Sequence, residues 1–242
     1  MKTAAGVPEA AALPDFEFAA LAEAQHYRRA IVREMMPVLD GRVVEVGAGI
    51  GQMTALFKRA PQVTQLMAVE PDVRFHPEFH AANPEITLVG GTVETLPREK
   101  PWDGLVAINV LEHIEDDAGE LESWVALLRE RRGRLGLLVP ARPEIYAPID
   151  RDFGHYRRYT KAGLRQLLES AGLVLEQLCY FNCIGYFAWW FNFCLLGQRK
   201  FSPAAVRLFD RCIFPAVNSM ETRVCRPPFG QSLVAIARIR TA

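Results

Sequence analysis

The chain has 242 residues, 28 Lys plus Arg against 28 Asp plus Glu, and 50% hydrophobic residues. A chain of this length buries enough apolar surface to fold without disulfides or structural metals. Its formal net charge of zero argues against non-specific nucleic-acid binding, which depends on clustered cations. We therefore expect a soluble globular protein whose partners do not include nucleic acid.

The five cysteines are odd in number and form no CxxC pair, which favours free thiols and a cytoplasmic location over a disulfide framework or a zinc ribbon. Pro8, Glu9 and Pro14 interrupt the first fifteen residues, so we expect a frayed N-terminus there and not a signal peptide. No repeat or low-complexity linker follows. Residues 1–242 are therefore predicted to form one domain.

The pattern along the chain predicts an α/β fold. A helix is predicted over Phe16–Met36, with Asp15 as its N-cap. Short β-branched runs then alternate with helical segments, which predicts right-handed crossovers and a doubly wound, mostly parallel sheet covered on both faces. The predicted strands are Val43–Val46, Leu66–Val69, Ile86–Val89, Gly104–Ile108 and Leu135–Val139, and the predicted helices are Met53–Arg59, Asp72–Ala81 and Ala118–Arg129.

The remaining elements follow a long loop, Pro140–Tyr159. A helix is predicted over Thr160–Ser170, ended by Ala171 and Gly172. Two further strands are predicted at Leu173–Phe181 and Ser232–Ile239. Between them lies a helical insertion, residues 184–228, with one helix around Ile184–Leu196 and another that begins at Pro203 with Ser202 as its N-cap.

A strand, a glycine-rich turn and a helix follow one another in VVEVGAGIGQMT, residues Val43–Thr54. Gly47 and Gly49 would let a ligand approach the backbone at the carboxyl end of the first strand. Gln52 stands where a dinucleotide fingerprint has its third glycine. The acidic Glu45 suits a ligand with a positive charge, such as an α-amino group.

Four motifs in order resemble those of class I S-adenosylmethionine (SAM)-dependent methyltransferases. They are VEVGAGIG (Val44–Gly51), AVEPD (Ala68–Asp72), GTVETLP (Gly91–Pro97) and WDGLVAINVLEHI (Trp102–Ile114). The resemblance implies a Rossmann-like, seven-stranded sheet in which the antiparallel last strand lies beside the fifth, a role that Ser232–Ile239 matches. It also implies SAM as the cofactor.

The same resemblance assigns residues to the parts of SAM. Many relatives have Asp where this chain has Thr92, whose hydroxyl can still accept a hydrogen bond. Tyr27 resembles an aromatic residue that covers the cofactor in similar enzymes, and the alternative is an amphipathic helical tyrosine. The assigned positions are Glu45, Gly47, Gly49 and the backbone of Asn109 for the methionine part, Glu70 for the ribose, and Pro71, Thr92 and Val93 for the adenine. Taken alone, Glu70 at the end of the second strand fits NAD as well as another adenosyl ligand.

Methyl transfer from a sulfonium is an in-line displacement, so catalytic groups must lie beyond the strand ends. The loop after the fifth strand is rich in His, Tyr, Arg and Asp, which suggests a site. PIDRDFGHYRRYT (Pro148–Thr160) resembles a segment of a bacterial methyltransferase subgroup (type 11/12-like) often associated with cell-surface glycan or lipid pathways. We assign catalysis to His155 as base or orienting group, Asp150 as its partner or a substrate contact, and Tyr159. The alternative is that this loop is bound to the sheet by salt bridges.

The candidate substrate contacts are Tyr146, Arg157, Arg158 and His113. Guanidinium groups match carboxylate and phosphate geometry, although structural roles fit them equally well. By family position His113 lies near the cofactor, and its alternative role is a structural cap. His76 and His80 lie four residues apart, but Pro77 intervenes and no third ligand is evident, so no metal is expected.

The segment Gln177–Gln198 contains no charged residue. Its helical part, Ile184–Leu196, is too short to cross a bilayer and is hydrophobic all round. Burial inside the insertion, a lid over an apolar substrate, a homodimer interface and peripheral membrane contact through Trp189 and Trp190 are the alternatives. Arg199, Lys200, Arg207 and Arg211 follow it and suit anionic lipid headgroups.

The predicted function is SAM-dependent methyl transfer to a small-molecule or lipid- or glycan-linked acceptor that is apolar or anionic. The predicted location is the cytoplasm, with membrane association as an added alternative. Two other functions stay open at this stage: an NAD-dependent oxidoreductase, and a non-catalytic SAM-fold interaction protein.

Overall fold

The computed structural model describes residues 16–96 and 101–240, so the predictions for the first fifteen residues, including Asp15, lie outside the described residues. Within these described residues, seven strands form one sheet in the order β3, β2, β1, β4, β5, β7, β6. The first five pair in parallel, and β7 runs antiparallel between β5 and β6. This order confirms the predicted fold class. The strands are β1 Gly41–Val46, β2 Val63–Val69, β3 Thr87–Val89, β4 Gly104–Ile108, β5 Arg134–Pro140, β6 Leu173–Phe181 and β7 Ser232–Ile239.

Ten α-helices connect and cover these strands in the described part of the chain. Two π-helical segments, Trp190–Leu195 and Phe209–Ile213, continue α8 and α9. The helices are α1 Phe16–Glu23, α2 Gln25–Met35, α3 Thr54–Phe57, α4 His76–Ala82, α5 Asp117–Leu128, α6 Pro148–Asp152, α7 Lys161–Ser170, α8 Cys183–Trp189, α9 Pro203–Leu208 and α10 Phe214–Arg223. The loop predicted at Pro140–Tyr159 thus contains a short helix, and the insertion contains three helices where two were predicted.

The single helix predicted over Phe16–Met36 is wrong, because the chain leaves helical geometry at Ala24, where ψ is 59°. The backbone N–H groups of His26 and Tyr27 donate to the carboxylate of Asp210, at 2.9 and 2.8 Å. A carboxylate at a helix N-terminus satisfies unpaired N–H groups and opposes the helix dipole. Asp210, an acidic residue of the insertion, therefore caps the N-terminus of α2.

Apolar side chains cover both faces of the sheet, as expected for a largely parallel sheet. On one face, Trp124 of α5 and Leu164 of α7 pack in the core that includes Val44, Leu105 and Leu137. On the other, residues of α2, α3 and α10 pack against the alternate strand positions, including Ile31, Met35, Phe57, Val43, Val106 and Phe214. The alternation of side chains along each strand thus divides the core into two layers.

A third apolar cluster joins the insertion to the loop after β5. Ile149 and Phe153 pack there with Trp189 and Phe193. The indole N–H of Trp189 donates to the backbone carbonyl of Ile145, at 3.1 Å. The insertion therefore lies over the carboxyl end of β5. Across residues 16–96 and 101–240, the structure contains no helix with the length and apolarity that crossing a membrane requires.

Candidate active site

The turn after β1 has the backbone geometry that its glycines allow. Gly47 and Gly49 have φ values of 69° and 54°, where a Cβ is strained. A Cβ on Gly47 would collide with the side chain of Val110, and one on Gly49 would lie 2.9 Å from a ring carbon of Phe18. Helix α1 therefore covers this turn, and any ligand bound at the turn lies next to Phe18.

Glu70, at the end of β2, connects the glycine turn to the chain that follows β2. Its carboxylate accepts hydrogen bonds from the backbone N–H of Gly49, at 2.7 Å, and of Asp72, at 2.9 Å. Burial raises the pKa of Glu70, and these two hydrogen bonds oppose the rise. The carboxylate is thus already held at the carboxyl edge where open α/β sheets bind their ligands.

Glu45, in β1, is buried with 3% of its surface exposed. Its Oε2 atom has no hydrogen-bond partner among the residues that the structure describes. Burial raises the pKa of Glu45 to about 8, an effect that Thr54 opposes and the neighbouring Glu70 reinforces. A buried carboxyl with one unsatisfied oxygen is costly in the free protein and suits a cationic ligand.

The thermal stability of the ligand-free protein is expected to fall as the pH rises, because of Glu45. The folded protein keeps a proton on Glu45 that the unfolded chain releases above 4.5, so stability is lost as the pH rises from 4.5 to about 8. Glu45→Gln should make the melting temperature depend less on pH and should raise it near pH 8. Thermal denaturation at a series of pH values between 4.5 and 8 measures both effects. Glu78→Gln, an exposed change on α4, should keep the wild-type slope. A wild-type slope in E45Q would contradict this assignment.

The other residues assigned to the cofactor lie at the same edge of the sheet. Asn109, directly after β4, adopts a φ of 53°, and its N–H donates to the carbonyl of Leu138, at 2.8 Å. Val93 is buried, whereas Pro71 and Thr92 are exposed. The rings of Phe18 and Phe75 meet edge to face near the glycine turn, with centroids 5.0 Å apart.

A cavity of about 430 Å³ opens beside Asn109. Its walls come from α1 and α2, from the ends of β4 and β5, from the start of β7, from the loop after β5 and from the insertion. Tyr27 lines it and packs between Phe181 and Phe214, with centroids 5.5 and 5.4 Å away. Burial raises the pKa of Tyr27 to about 12, so its hydroxyl stays protonated at neutral pH. The cavity therefore joins the carboxyl edge of the sheet at Asn109 to the loop after β5, which contains the predicted catalytic residues.

His155, Asp150 and Arg158 form a buried cluster at this cavity. Asp150 Oδ1 lies 3.0 Å from His155 Nδ1 and 2.9 Å from Arg158 Nε. Although burial raises the pKa of Asp150, the hydrogen bonds from His155 and Arg158 hold it below its ordinary value. An ionised carboxylate only accepts, so Nδ1 of His155 carries the hydrogen and Nε2 of the neutral ring carries the lone pair. That geometry prepares His155 to accept a proton.

Glu112 is a residue that the sequence reasoning missed. It is fully buried, and its Oε1 lies 4.0 Å from His155 Nε2. The sequence feature that could have indicated Glu112 is its position beside His113 in the LEHI motif, which follows β4. Burial, and the nearby His155, lower the pKa of His113 to about 3, so the His113 ring is neutral.

The side chains of Glu112, His113 and His155 bring ligand atoms within 4.8 Å of one another, a spacing that a divalent cation could bridge. The expectation that no metal binds was based on His76 and His80, and it did not include the group of Glu112, His113 and His155. The ring of His113 also meets that of His155 edge to face, with centroids 4.6 Å apart.

The remaining candidates in the loop make contacts within the protein. The hydroxyl of Tyr159 donates to Asp117, at 2.8 Å, and burial together with this bond raises the pKa of Tyr159. Arg157 forms an ion pair with the same carboxylate, also at 2.8 Å. Tyr146 donates to the backbone carbonyl of His155, at 2.7 Å. These contacts match the salt-bridged alternative for Arg157 and show Tyr146 supporting the backbone of His155.

The sequence of this chain matches a family model, and its fold matches solved structures. A family model described as a methyltransferase domain matches residues 20–178. No curated protein matches the sequence significantly. A SAM-dependent methyltransferase from Mesorhizobium loti is 16% identical with a TM-score of 0.57, over 91% of this chain and 99% of that one. A SAM-dependent methyltransferase from Clostridium acetobutylicum ATCC 824 is 10% identical with a TM-score of 0.59, over 93% and 98%.

The plantazolicin methyltransferase BpumL, solved in complex with SAH, is 12% identical with a TM-score of 0.61, over 95% of this chain and 92% of that one. At these identities the structural matches establish the fold. The match to the family model extends over more than half of the chain. The chain therefore belongs to the methyltransferase-domain family, and its seven-stranded sheet is that of the class I SAM-dependent methyltransferases.

Proposed function

We propose that this protein transfers a methyl group from SAM to a small-molecule or lipid- or glycan-linked acceptor bound in the cavity. The observation that carries this proposal is the cavity itself, because its lining includes Asn109 at the cofactor edge and His155 in the loop after β5. A methyl donor and an acceptor must approach in line, and this arrangement puts a proton acceptor beside the space where they meet.

The residues present fit SAM at the carboxyl edge of β1, β2 and β4. The unsatisfied, buried Oε2 of Glu45 would pair with the cationic amino group of the methionine part. Glu70 would accept from the ribose hydroxyls, and Gly47 and Gly49 leave space where a side chain would not fit. Phe18 and Phe75 supply apolar surface beside the same turn. When bound, SAM supplies an electrophilic methyl group on a sulfonium sulfur.

The proton of the acceptor would move to Nε2 of His155 as the new bond to the methyl carbon forms and the carbon–sulfur bond breaks. Asp150 holds the ring in the required tautomer through Nδ1. The imidazolium that results lies between two carboxyl groups, because Glu112 is 4.0 Å from Nε2. The ionised carboxylate of Asp150 stabilises the protonated ring through opposite charge at Nδ1. We therefore assign His155 as general base and Asp150 and Glu112 as positioning residues.

An apolar acceptor with an anionic group fits the cavity. The cavity is lined by the aromatic side chains of Phe153, Trp189, Phe193 and Phe201 and by the cationic side chain of Lys200.

The cysteines support a reducing cytoplasm as the location. All five lie in the described part of the chain and have free thiols.

Calorimetric titration tests the cofactor assignment. We expect SAM and S-adenosylhomocysteine (SAH) to bind and NADH not to bind, because Gln52 replaces the third glycine of the dinucleotide fingerprint. An absence of SAM and SAH binding at high micromolar concentration would refute the proposal. Stabilisation by NADH alone would identify an oxidoreductase. Tight SAM binding without methylated product across glycans, lipids and small acids would identify a non-catalytic interaction protein.

A further inference from the structure

One side of α8 and its π-helical continuation is apolar and faces solvent. We call it the outer apolar face, and its residues are Phe187, Trp190, Phe191, Leu195 and Leu196. Between 45% and 58% of the surface of each of these residues is exposed. Contiguous exposed apolar residues on a helix mark an interaction site more often than scattered ones do. The helical spacing of these residues groups them on one side.

The opposite side of the same segment is already packed. Trp189 and Phe193 are each 5% exposed and lie in the apolar cluster with Ile149 and Phe153. Ala188 and Asn192 line the cavity together with them. The packing of the insertion therefore accounts for the inner side only, and the outer apolar face needs a different apolar environment.

The exposed charged side chains of residues 183–213 are all cationic. Between Cys183 and Ile213 the only acid is Asp210, which is buried against the start of α2. The cations are Arg199, Lys200, Arg207 and Arg211. Arg199 pairs with Asp152 and Arg207 with Glu23, whereas Lys200 and Arg211 are exposed. The exposed surface of this segment is thus apolar and basic.

This combination favours a lipid surface over a second copy of the chain. A two-fold dimer through the outer apolar face would put the same segment of both copies together, and this segment has no exposed acid that could pair with Lys200 and Arg211. A bilayer with anionic headgroups offers opposite charge to the cations and an interfacial zone that accepts Trp and Phe. Electrostatic complementarity therefore identifies the occupant.

We propose that the outer apolar face binds peripherally to an anionic bilayer and that the acceptor enters the cavity from it by a hydrocarbon tail. Leu208 lines the cavity and is 63% exposed, and Lys200 lines it too, so the cavity reaches the surface between an apolar residue and a cation. A lipid with an anionic headgroup matches both. Membrane binding rests on the outer apolar face and the exposed cations Lys200 and Arg211, whereas the entry of the acceptor rests on the proposed methyl transfer.

Vesicle sedimentation tests the binding, with phosphatidylglycerol–phosphatidylcholine vesicles and with pure phosphatidylcholine. We expect the full chain to bind the anionic vesicles and to shift its tryptophan fluorescence to shorter wavelength, because Trp190 is exposed while Trp102, Trp124 and Trp189 are already buried. The double variant F191S/L195S removes two half-exposed side chains and should bind at least about tenfold more weakly. The double variant K200E/R211E should bind the anionic vesicles at least about fivefold more weakly.

The matched control is Val73→Ser, which removes an apolar residue that is 69% exposed after β2, on the other half of the sheet. It should bind vesicles like the wild type. Every protein is also titrated with SAH, so that a failure of membrane binding is distinguished from a failure of the cofactor site. Wild-type protein that binds SAH but not anionic vesicles would overturn the inference. A dimer that F191S/L195S converts to monomer, without vesicle binding, would assign the face to a second copy.

Discussion

Replacement of His155 by asparagine is expected to lower the turnover of methyl transfer by roughly 10²–10⁴-fold, the usual contribution of a general base. Affinity for SAH should stay within about twofold, because the His155 side chain is held by Asp150 in the loop after β5 and not by a residue of the glycine turn. The measurement is turnover on whichever acceptor the wild-type protein methylates fastest in a panel of glycans, lipids and small acids, with calorimetry for SAH.

The control for this prediction is His80→Asn, which changes an exposed imidazole on α4 and should leave turnover unchanged. Asp150→Asn tests the positioning role. Its amide can donate to Nδ1 of His155 and move the ring hydrogen to Nε2, so turnover should fall although His155 is still present. Wild-type turnover in H155N would remove His155 from the mechanism, and wild-type turnover in D150N would leave Asp150 as a structural residue.

Glu70→Ala should weaken SAH binding by roughly 100-fold. Two hydrogen bonds from ribose hydroxyls to a buried carboxylate would each contribute about 1.5 kcal/mol, and about 3 kcal/mol corresponds to that factor. The free-protein geometry supports this role, because the carboxylate already accepts two backbone N–H groups at the edge of the sheet. Calorimetric titration with SAH measures the loss.

Glu70 also holds the turn at Gly49, so the variant needs a check on folding. Glu70→Gln keeps one carbonyl acceptor and should bind SAH more tightly than Glu70→Ala, while both variants should unfold cooperatively on heating. Glu78→Ala, on the exposed surface of α4, should bind like the wild type. SAH affinity within about threefold of wild type in E70A would show that the ribose is held elsewhere.

Local patterns predicted the sheet well because strand identity depends on features that are local in sequence. Apolar, partly β-branched runs identified β4 and the antiparallel β7, whose predicted bounds at Gly104–Ile108 and Ser232–Ile239 the structure confirms, and the glycine after Val46 identified the end of β1. The helix after the loop was also predicted, with its end at Ala171 and Gly172, and the structure adds that Thr160 caps its start by accepting from the N–H of Gly163. Helix capping, the alternation of apolar and polar side chains, and turn formation each depend on a few neighbouring residues, so the amino-acid sequence alone reveals them.

The break at Ala24 could not be predicted, because its cause lies 184 residues away along the chain. The sequence around His26 contains no signal that would end one helix and begin another. In the sequence, Asp210 is simply the one acidic residue of a basic segment, without any feature that links it to His26. Only the fold brings that carboxylate to the start of α2. A distant acid also lies at the start of α8, where Glu221 of α10 accepts from the N–H groups of Asn182 and Cys183, although a helix beginning near Ile184 was predicted there.

The chain by itself determined the family, the sheet and the loop in which to look for catalysis. Tertiary structure alone decided how the polar residues of that loop divide: Tyr159 and Arg157 bind Asp117, whereas His155 and Arg158 share Asp150 at the cavity. It also brought Glu112 to His155. The physical reason is that backbone preference is local, whereas the partner of a buried charge is selected by desolvation and packing among residues far apart in sequence.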